Sequence, residues 1–591
     1  MDSELAASGA IARRITFVHA SEDYYDQNYG TQFVPLWAYC LAAHVPDPWR
    51  VSIIDCKNQD PRDCGPADVF AFSGINQDVH AIKHKWSLLK RRYPDASFIL
   101  GGPITWSFDQ EGKLSHLDYF DHLFILDGEE TLPAFLTGLS QGLRAPNVIR
   151  GNRFPLDRSR ALPFQLFRPS FRSYYGGVIE VSRGCPFLCE FCDIRVLPGN
   201  NRSNNKPVAL IIEELDQYYK LGITHIQFAC DNFIGDVAWA RSCLQAVIAW
   251  KERVGADISV FTWLTINLYK HRDVMEMMRR AGFSILFIGI ESVNQHSLLE
   301  TAKMQNVNVL EEAVTSIASY GFIIAPGFIF GFDSDTDAAF DDTRKFLAES
   351  GIIGGDPSFL MALPGTPLFD RMKRTGRLVV GDEGVARRKI QTNIRYLQDS
   401  RFLVTGFIQF IETYTSAQFQ YARFKRLLEI IEERGTYVPV TGPGYGSPLP
   451  YFKLQLRYPR YLNMLLRRVW FMLRRPANLW AVLKAYVVLW RRVRAYPGLG
   501  AHFFYWVYAW TNIALKYEGL REEDFALHTV GRDFDVARLA PVALTQESRN
   551  SQIRDGIKVD AQARFTNRAL RRLLEERSKA EFSDSTRTPI G

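Results

Sequence analysis

The sequence predicts an α/β protein: a doubly wound parallel sheet first, then a parallel (β/α) barrel, complete or partial, then a mostly helical C-terminal part. Short apolar runs alternate, in two separate series, with amphipathic helical segments, and buried strands separated by helices imply parallel sheets. A Pro- and Arg-bearing stretch without periodicity divides the two series. Beyond residue 400 the alternation stops. A chain of 591 residues is long enough for three domains, two at the minimum. The expected organisation is a sheet domain over 1–150, a linker over 151–175, a barrel over 176–400, helices over 401–545 and a polar, mobile tail over 546–591.

In the first series ITFVH (15–19), VSIID (51–55), VFAFSG (69–74), SFILGG (97–102) and HLFILDG (122–128) read as buried strands. Stretches such as VHAIKHKWSLLKRRYP supply the helices between them, which makes the domain Rossmann-like. Open sheets of this kind bind ligands at the carboxyl ends of their strands. Three strands end there in small residues, Ser73-Gly74, Gly101-Gly102 and Gly128-Glu129, and glycine lets a backbone approach a ligand. Any one pair is explained equally by a tight turn; three at successive strand ends favour a nucleotide-like or tetrapyrrole ligand.

The second series opens with GVIEVSRG and continues through HIQFACDN, DISVFTWLTIN, SILFIGIES, FIIAPGFIFGF and SFLMALPG as strands. VALIIEELDQYYKLG, RDVMEMMRRAG and VLEEAVTSIASYG are the intervening helices. A parallel barrel carries its active groups on the loops after its strands.

On the first of those loops RGCPFLCEFCDI places Cys185, Cys189 and Cys192 in a CxxxCxxC spacing. A structural zinc site wants four tetrahedral ligands, commonly as two CxxC pairs, and the other five cysteines are isolated. Three thiolates suit a four-iron, four-sulfur cluster with one iron left open for a substrate or cofactor. The first twenty residues lack the pattern of a secretory signal, which points to a reducing cytoplasm where cysteines serve as ligands more often than as disulfides.

This loop resembles the signature of radical S-adenosylmethionine (SAM) enzymes. The resemblance implies that SAM chelates the open iron and is cleaved there to a 5′-deoxyadenosyl radical. Residue by residue it implies further roles. Phe191 matches the aromatic position that shields cluster and adenine. Asp231 and Asn232 in FACDNFIGD fall where the methionine amino group is held, and Asn267 and Glu291 lie at later strand ends that contact ribose and methionine. Gly327 and Gly331 resemble the glycine strand that admits adenine.

A sheet domain ahead of the barrel, with SGINQD, ILGG and LDGEET in order, resembles the cobalamin-binding branch of that family. CEFCDI, DNFIG, GIES, GFDSDT and ALPGTPLFDRM are most similar to its hopanoid methylase group, whose members act on lipids. The DxHxxG element that supplies an axial histidine in other cobalamin proteins is absent; the corresponding loop reads ASEDYYDQNYG. Cobalamin would then lie at Ser73, Gly74, Gly101, Gly102, Gly128 and Glu129, with Asn76, Gln77 and Asp78 near its lower face, unless those three form a solvated loop.

The implied chemistry is methylation of an unactivated sp3 carbon. One SAM methylates reduced cobalamin and a second yields the hydrogen-abstracting radical. The same cofactors also serve ring formation, carbon–carbon coupling or oxidation. Further alternatives are a tRNA modifier and a non-catalytic binder of a cobalamin-like ligand or lipid. An external electron donor of flavodoxin or ferredoxin type is implied, with a hydrophobic small-molecule or lipid substrate.

The composition, 47% hydrophobic and 23% charged, is that of a soluble globular protein, but the net charge of +7 is unevenly spread. From Arg434 to Lys516 there are 13 Lys and Arg and no Asp or Glu, so the rest of the chain is net acidic. Within this region Arg460, Arg467 and Arg474 recur at seven, as do Lys484 and Arg491, beside Leu, Trp and Tyr. Two readings compete for residues 457–516: a helical cap on the barrel with solvated arginines, and helices lying at the inner face of a membrane. FFYWVYAWTNIAL is too short to span a bilayer, and Leu-Trp stripes suit lipid better than nucleic acid.

Overall fold

The computed structural model describes residues 13–20, 34–174, 176–379, 390–440, 456, 459–531 and 534. The ASEDYYDQNYG loop, apart from its first residue, and the polar tail lie outside the described residues.

The first domain is a six-stranded, wholly parallel sheet of β1 (Arg14–His19), β2 (Arg50–Asp55), β3 (Val69–Ser73), β4 (Ser97–Gly101), β5 (His122–Ile125) and β6 (Val148–Arg150), in the order β2-β1-β3-β4-β5-β6. Helices α1 (Leu36–Ala42), α2 (Val79–Arg92), α3 (Pro103–Gln110) and α4 (Thr131–Ser140) connect its strands. Two apolar clusters flank the sheet, one around Phe70, Phe98 and Leu100 and the other around Phe17, Ile99 and Phe124. Burial on both faces explains why these strands read as continuous apolar runs. Short β6 carries only three residues, too few to show a pattern.

Residues 151–174 are not a loose linker. Phe154, Leu156, Leu162, Phe164 and Phe167 are buried, and the last three join the barrel core.

The barrel strands β7 (Gly177–Glu180), β8 (His225–Ala229), β9 (Ser259–Leu264), β10 (Phe283–Glu291), β11 (Ile323–Phe330) and β12 (Asp356–Phe359) pair in sequence, all parallel, with β7 and β12 as edges. The barrel is therefore partial. The last strand starts two residues earlier than SFLMALPG suggests and stops before Pro364. Helices α5 (Val208–Lys220), α6 (Val237–Val254), α7 (Arg272–Ala281), α8 (Leu310–Ser319) and α9 (Ala339–Ser350) cover its outside, and α10 (Pro367–Arg374) follows β12.

From β8 to β11 burial alternates strictly: residues facing the helices are buried and residues facing inward are half-buried. In that inward register Phe261, Trp263, Ile285, Phe287, Ala325 and Ile329 form an apolar, partly aromatic patch beside the polar Gln227, Ser259 and Ser358. The Phe261 and Trp263 rings are 4.8 Å apart, and Trp263 and Phe287 6.4 Å.

The C-terminal part is helical as expected: α11 (Ser400–Tyr414), α12 (Ala417–Arg434), α13 (Pro459–Leu473), α14 (Pro476–Trp490) and α15 (Gly500–Lys516). A strand at Ala526–Thr529 returns to pair in parallel with Gln391–Tyr396, a pairing across more than a hundred residues that local pattern does not signal.

Candidate active site at the junction of the two sheets

The cysteine loop leaves β7 through Gly184, whose φ of 96° places it in the left-handed region that glycine tolerates. A Cβ there would strike the Arg202 carbonyl. The loop is fixed along its length. Gly184 N donates to Asp231 Oδ2 at 2.6 Å, Cys185 N to the Asn200 carbonyl at 2.9 Å, and Glu190 N to the Thr301 carbonyl at 2.9 Å. The Glu190 carboxylate receives two bonds from Arg371 of α10, at 2.8 and 2.9 Å. Arg371 also reaches Asp333 at 2.6 Å, and Arg377 grips Asp333 at 2.8 and 2.6 Å. The loop after the first barrel strand is thus tied to the segment after the last one.

Cys189 is buried, while Cys185 and Cys192 are half-buried. Burial raises the Cys185 thiol and pushes Cys192 up to about 12. Without a cation such thiols stay protonated; iron would supply the charge that ionises them. Two amides point at sulfur: Asn232 Nδ2 lies 3.9 Å from Cys185 Sγ and Gln305 Nε2 3.7 Å from Cys189 Sγ. Such bonds hold and tune cluster ligands. Among the described residues no three His, Cys, Asp or Glu side chains converge as they do on a single metal ion. Three thiols leave one iron of a cubane without a protein ligand, and the donor set fits such a cluster.

At the end of β10, Glu291 adopts φ 66°, unusual for a residue with a side chain, just after a register shift against β11. Its Oε1 lies 3.0 Å from Lys303 Nζ, both side chains being about nine-tenths buried. A Cβ on Gly289 would collide with this ion pair, and one on Gly327 would lie 3.7 Å from Glu291 Oε2. Gly289 makes room for the carboxylate, and Gly327 lies beside it. Against the effect of burial, Glu291 holds Lys303 charged, and its ammonium stands 5.9 Å from the Phe191 ring centre. Phe191, Glu291 and Gly327 thus converge with the cysteine loop. Asn232 is buried and its carbonyl accepts from Thr265 N at 3.3 Å; Asn267 accepts from the Thr265 hydroxyl. Gly331 stands apart: its φ is 93° and Tyr396 occupies the space a Cβ would take, so packing accounts for it.

In the first domain the small-residue ends pack on one another. Gly102, at φ 86°, abuts Ser73 and Gly74; Gly101 lies against Phe124, and Gly128 against Leu41. These protein contacts by themselves explain the glycines. Asn76, Gln77 and Asp78 form a short 3-10 turn rather than a solvated loop. Asp78 accepts from Ile75 N at 3.0 Å. Asn76 is buried and its Oδ1 has no protein partner, an unused acceptor that suits an amide-rich ligand such as a corrin.

Glu129 is engaged by the protein itself. It accepts from Arg183 Nη2 at 2.5 Å, and Arg183 also holds Asp127 at 3.0 Å and Glu180 at 2.7 Å. Arg183 immediately precedes Gly184, so the loop after β5 meets the cysteine loop there. Arg153, beside the same carboxylates, leaves Nε and Nη2 buried without a partner. On the other side, a Cβ at Gly365 would lie 3.2 Å from Gln110. The carboxyl ends of both sheets thus meet at Arg183. Sequence reasoning missed Arg183, Lys303, Glu190 and Arg371. Arg183 and Glu190 adjoin the cysteines, but nothing in the sequence marks Lys303.

Three thiols after the first strand of a partial parallel barrel, behind a doubly wound sheet, define an enzyme of the radical SAM class. The Radical SAM superfamily profile matches residues 179–347. The chain is 31% identical over 399 residues to the hopanoid C-2 methylase of Rhodopseudomonas palustris (strain TIE-1), covering 64% of this chain and 73% of that one. It is 28% identical over 215 residues to the bacteriochlorophyllide d C-12(1)-methyltransferase of Chlorobaculum tepidum, 36% and 46% of the two chains. The chain belongs to the radical SAM superfamily and, within it, to the group that contains the hopanoid C-2 methylase.

Solved structures share the fold. The radical SAM methyltransferase TsrM from Kitasatospora setae, with cobalamin and a [4Fe-4S] cluster bound, superposes with a TM-score of 0.52 at 14% identity over 63% of this chain and 80% of its own. The cobalamin-dependent radical SAM enzyme OxsB does so with 0.52 at 15% identity over 96% and 84%.

Proposed function

We propose that this radical SAM enzyme is a cobalamin-dependent methyltransferase acting on an unactivated sp3 carbon of a hydrophobic, lipid- or isoprenoid-like substrate. Cys185, Cys189 and Cys192 would hold the cluster, and Phe191, Asp231, Asn232, Asn267, Glu291 and Gly327 would surround SAM. The edge formed by Ser73, Gly74, Asn76, Gln77, Gly101 and Gly102 would receive cobalamin. When bound, cluster and SAM supply the hydrogen-abstracting radical and cobalamin carries the methyl group. The protein's part is to hold these groups in line and exclude water.

The observation that carries the reading is the meeting of the two carboxyl edges at Arg183, which would set a ligand of the first sheet against the cysteine loop. The substrate class is supported by the apolar patch of inward-facing Phe261, Trp263, Ile285, Phe287, Ala325 and Ile329. The hopanoid and bacteriochlorophyllide names of the relatives are consistent with large hydrophobic acceptors. A peripheral membrane contact through residues 457–516, at the cytoplasmic face, would bring such a substrate within reach.

The test is anaerobic turnover with methyl-labelled SAM, an electron donor and a lipid extract. The reading expects label in an apolar product. Label confined to methionine and unreacted SAM, alongside a new unlabelled product, would instead identify a ring-forming, coupling or oxidising enzyme. Salt-sensitive binding of RNA would favour a tRNA modifier.

A further inference from the structure

Eleven of the seventeen large apolar side chains exposed among the described residues fall between positions 466 and 493, in the hairpin of α13 and α14. Trp470 is 64% exposed, Trp480 60% and Trp490 64%. The positions recur as on one helical face: 466, 469, 470 and 473 in α13, and 479, 483, 486, 487 and 490 in α14. Opposite that stripe α14 buries Asn478, Ala481, Ala485 and Leu489, and α13 buries Met464, Arg468 and Phe471.

The two arginines described in α13, and Arg474 just beyond it, find partners on α15 and the turn after it. Arg467 and Arg474 hold Glu518 at 3.3 and 2.7 Å, and Arg468 bonds Asn512 at 2.5 Å with its guanidinium 4.4 Å from the Tyr508 ring centre. A cap packed on a barrel would bury its apolar stripe and solvate its arginines. This hairpin leaves its apolar stripe exposed, and of its described arginines only Arg468 is buried. Arg492 holds Glu432 at 2.7 Å, whereas Arg475 at the turn and Lys484, Arg491 and Arg494 beside or beyond the α14 stripe are exposed.

We infer that the outer face of this hairpin docks on an anionic lipid bilayer, lying in its interface with the tryptophans inserted. The occupant follows from charge and shape. No Asp or Glu occurs from Arg434 to Lys516, so a second copy would set unpaired arginines against arginines. An acidic protein partner would match the edge but leave two helices' length of apolar centre unexplained. A bilayer with anionic headgroups satisfies both parts. No helix among the described residues is long and apolar enough to cross a membrane, so the hairpin lies on the surface. The inference deepens the hydrophobic-substrate reading by naming where the enzyme meets it, yet it is tested without substrate or turnover.

The test is flotation of the full-length protein with phosphatidylcholine vesicles and with phosphatidylcholine–phosphatidylglycerol vesicles. The protein should float with the anionic vesicles. Trp470→Gln, Trp480→Gln and Trp490→Gln together should lower the partition coefficient by at least about tenfold. Reversing Arg475, Lys484, Arg491 and Arg494 to Glu should abolish the preference for anionic lipid. Because all these side chains are exposed, an unchanged melting temperature should accompany both variants. Absence of flotation, flotation unaffected by the Trp variant, or a lipid-free dimer that the Trp variant splits into monomers would each overturn the inference. Failed flotation with intact methyl transfer would remove the membrane contact and leave the activity standing.

Discussion

Arg183 Nη2 and Glu129 Oε1 lie 2.5 Å apart and come from different domains, one from the loop that carries the cysteines and the other from the end of β5. The guanidinium serves three carboxylates, Asp127, Glu129 and Glu180. Arg183→Met leaves all three without their cation, and breaking a largely buried ion pair costs about 3–5 kcal/mol. A lower denaturation midpoint is expected, with methyl transfer falling more than SAM cleavage because the two edges lose their tie. Equal losses in both would mean that Arg183 only stabilises the fold.

Lys303 places a positive charge beside Cys189 and Cys192. Removing it in Lys303→Met should make the cluster harder to reduce, shifting its midpoint potential negative by roughly tens of millivolts. Glu291→Gln in the same chain removes the opposing charge and should recover part of the shift. Potentiometric titration followed by electron paramagnetic resonance reads both.

The Glu190–Arg371 fork ties the cysteine loop to α10. Arg371→Met should lower the iron bound after reconstitution and destabilise the apoprotein by about 3–5 kcal/mol, since Glu190, Glu300 and Asp333 lose a shared partner. Iron analysis and chemical denaturation test this together.

Asn76 presents the buried, unpartnered oxygen at the first sheet's edge. Asn76→Leu keeps the volume and removes the amide. The variant should lose corrinoid absorbance on gel filtration while keeping that of the cluster. Full retention of corrinoid would take Asn76 out of the site.

His502 is fully buried, its Nε2 meets the Gly321 carbonyl at 3.0 Å, and burial, with Arg279 nearby, lowers it from 6.5 to about 3. Between these values the unfolded chain binds a proton that the folded chain does not, so stability falls as pH drops from about 6.5 towards 3. Relative to His502→Gln, the wild-type protein should lose stability across that window and hold a constant difference above pH 7. Urea denaturation at a series of pH values reads the difference.

Most of the fold was legible because buried parallel strands leave long apolar runs and partial-barrel strands leave strict alternation. The pairing of Ala526–Thr529 with Gln391–Tyr396 was not, since a four-residue strand sets no local period. The cysteine spacing survives in any reading because the residues are contiguous. Lys303 was invisible for the opposite reason: its meaning depends on a fold that returns the chain after Glu291 to the cysteine loop. Of the arginines that recur at seven, Arg467 and Arg474 share Glu518, more than forty residues away, a partner the local pattern does not mark.

The most direct test of the central claim is the stoichiometry of the SAM products during anaerobic turnover. Methylation of cobalamin by one SAM and radical formation from another predicts S-adenosylhomocysteine and 5′-deoxyadenosine in equal amounts, one of each per methylated product. Deoxyadenosine and the methylated product should both vanish when Cys185, Cys189 and Cys192 are replaced by Ala. Deoxyadenosine and product without S-adenosylhomocysteine would contradict the account.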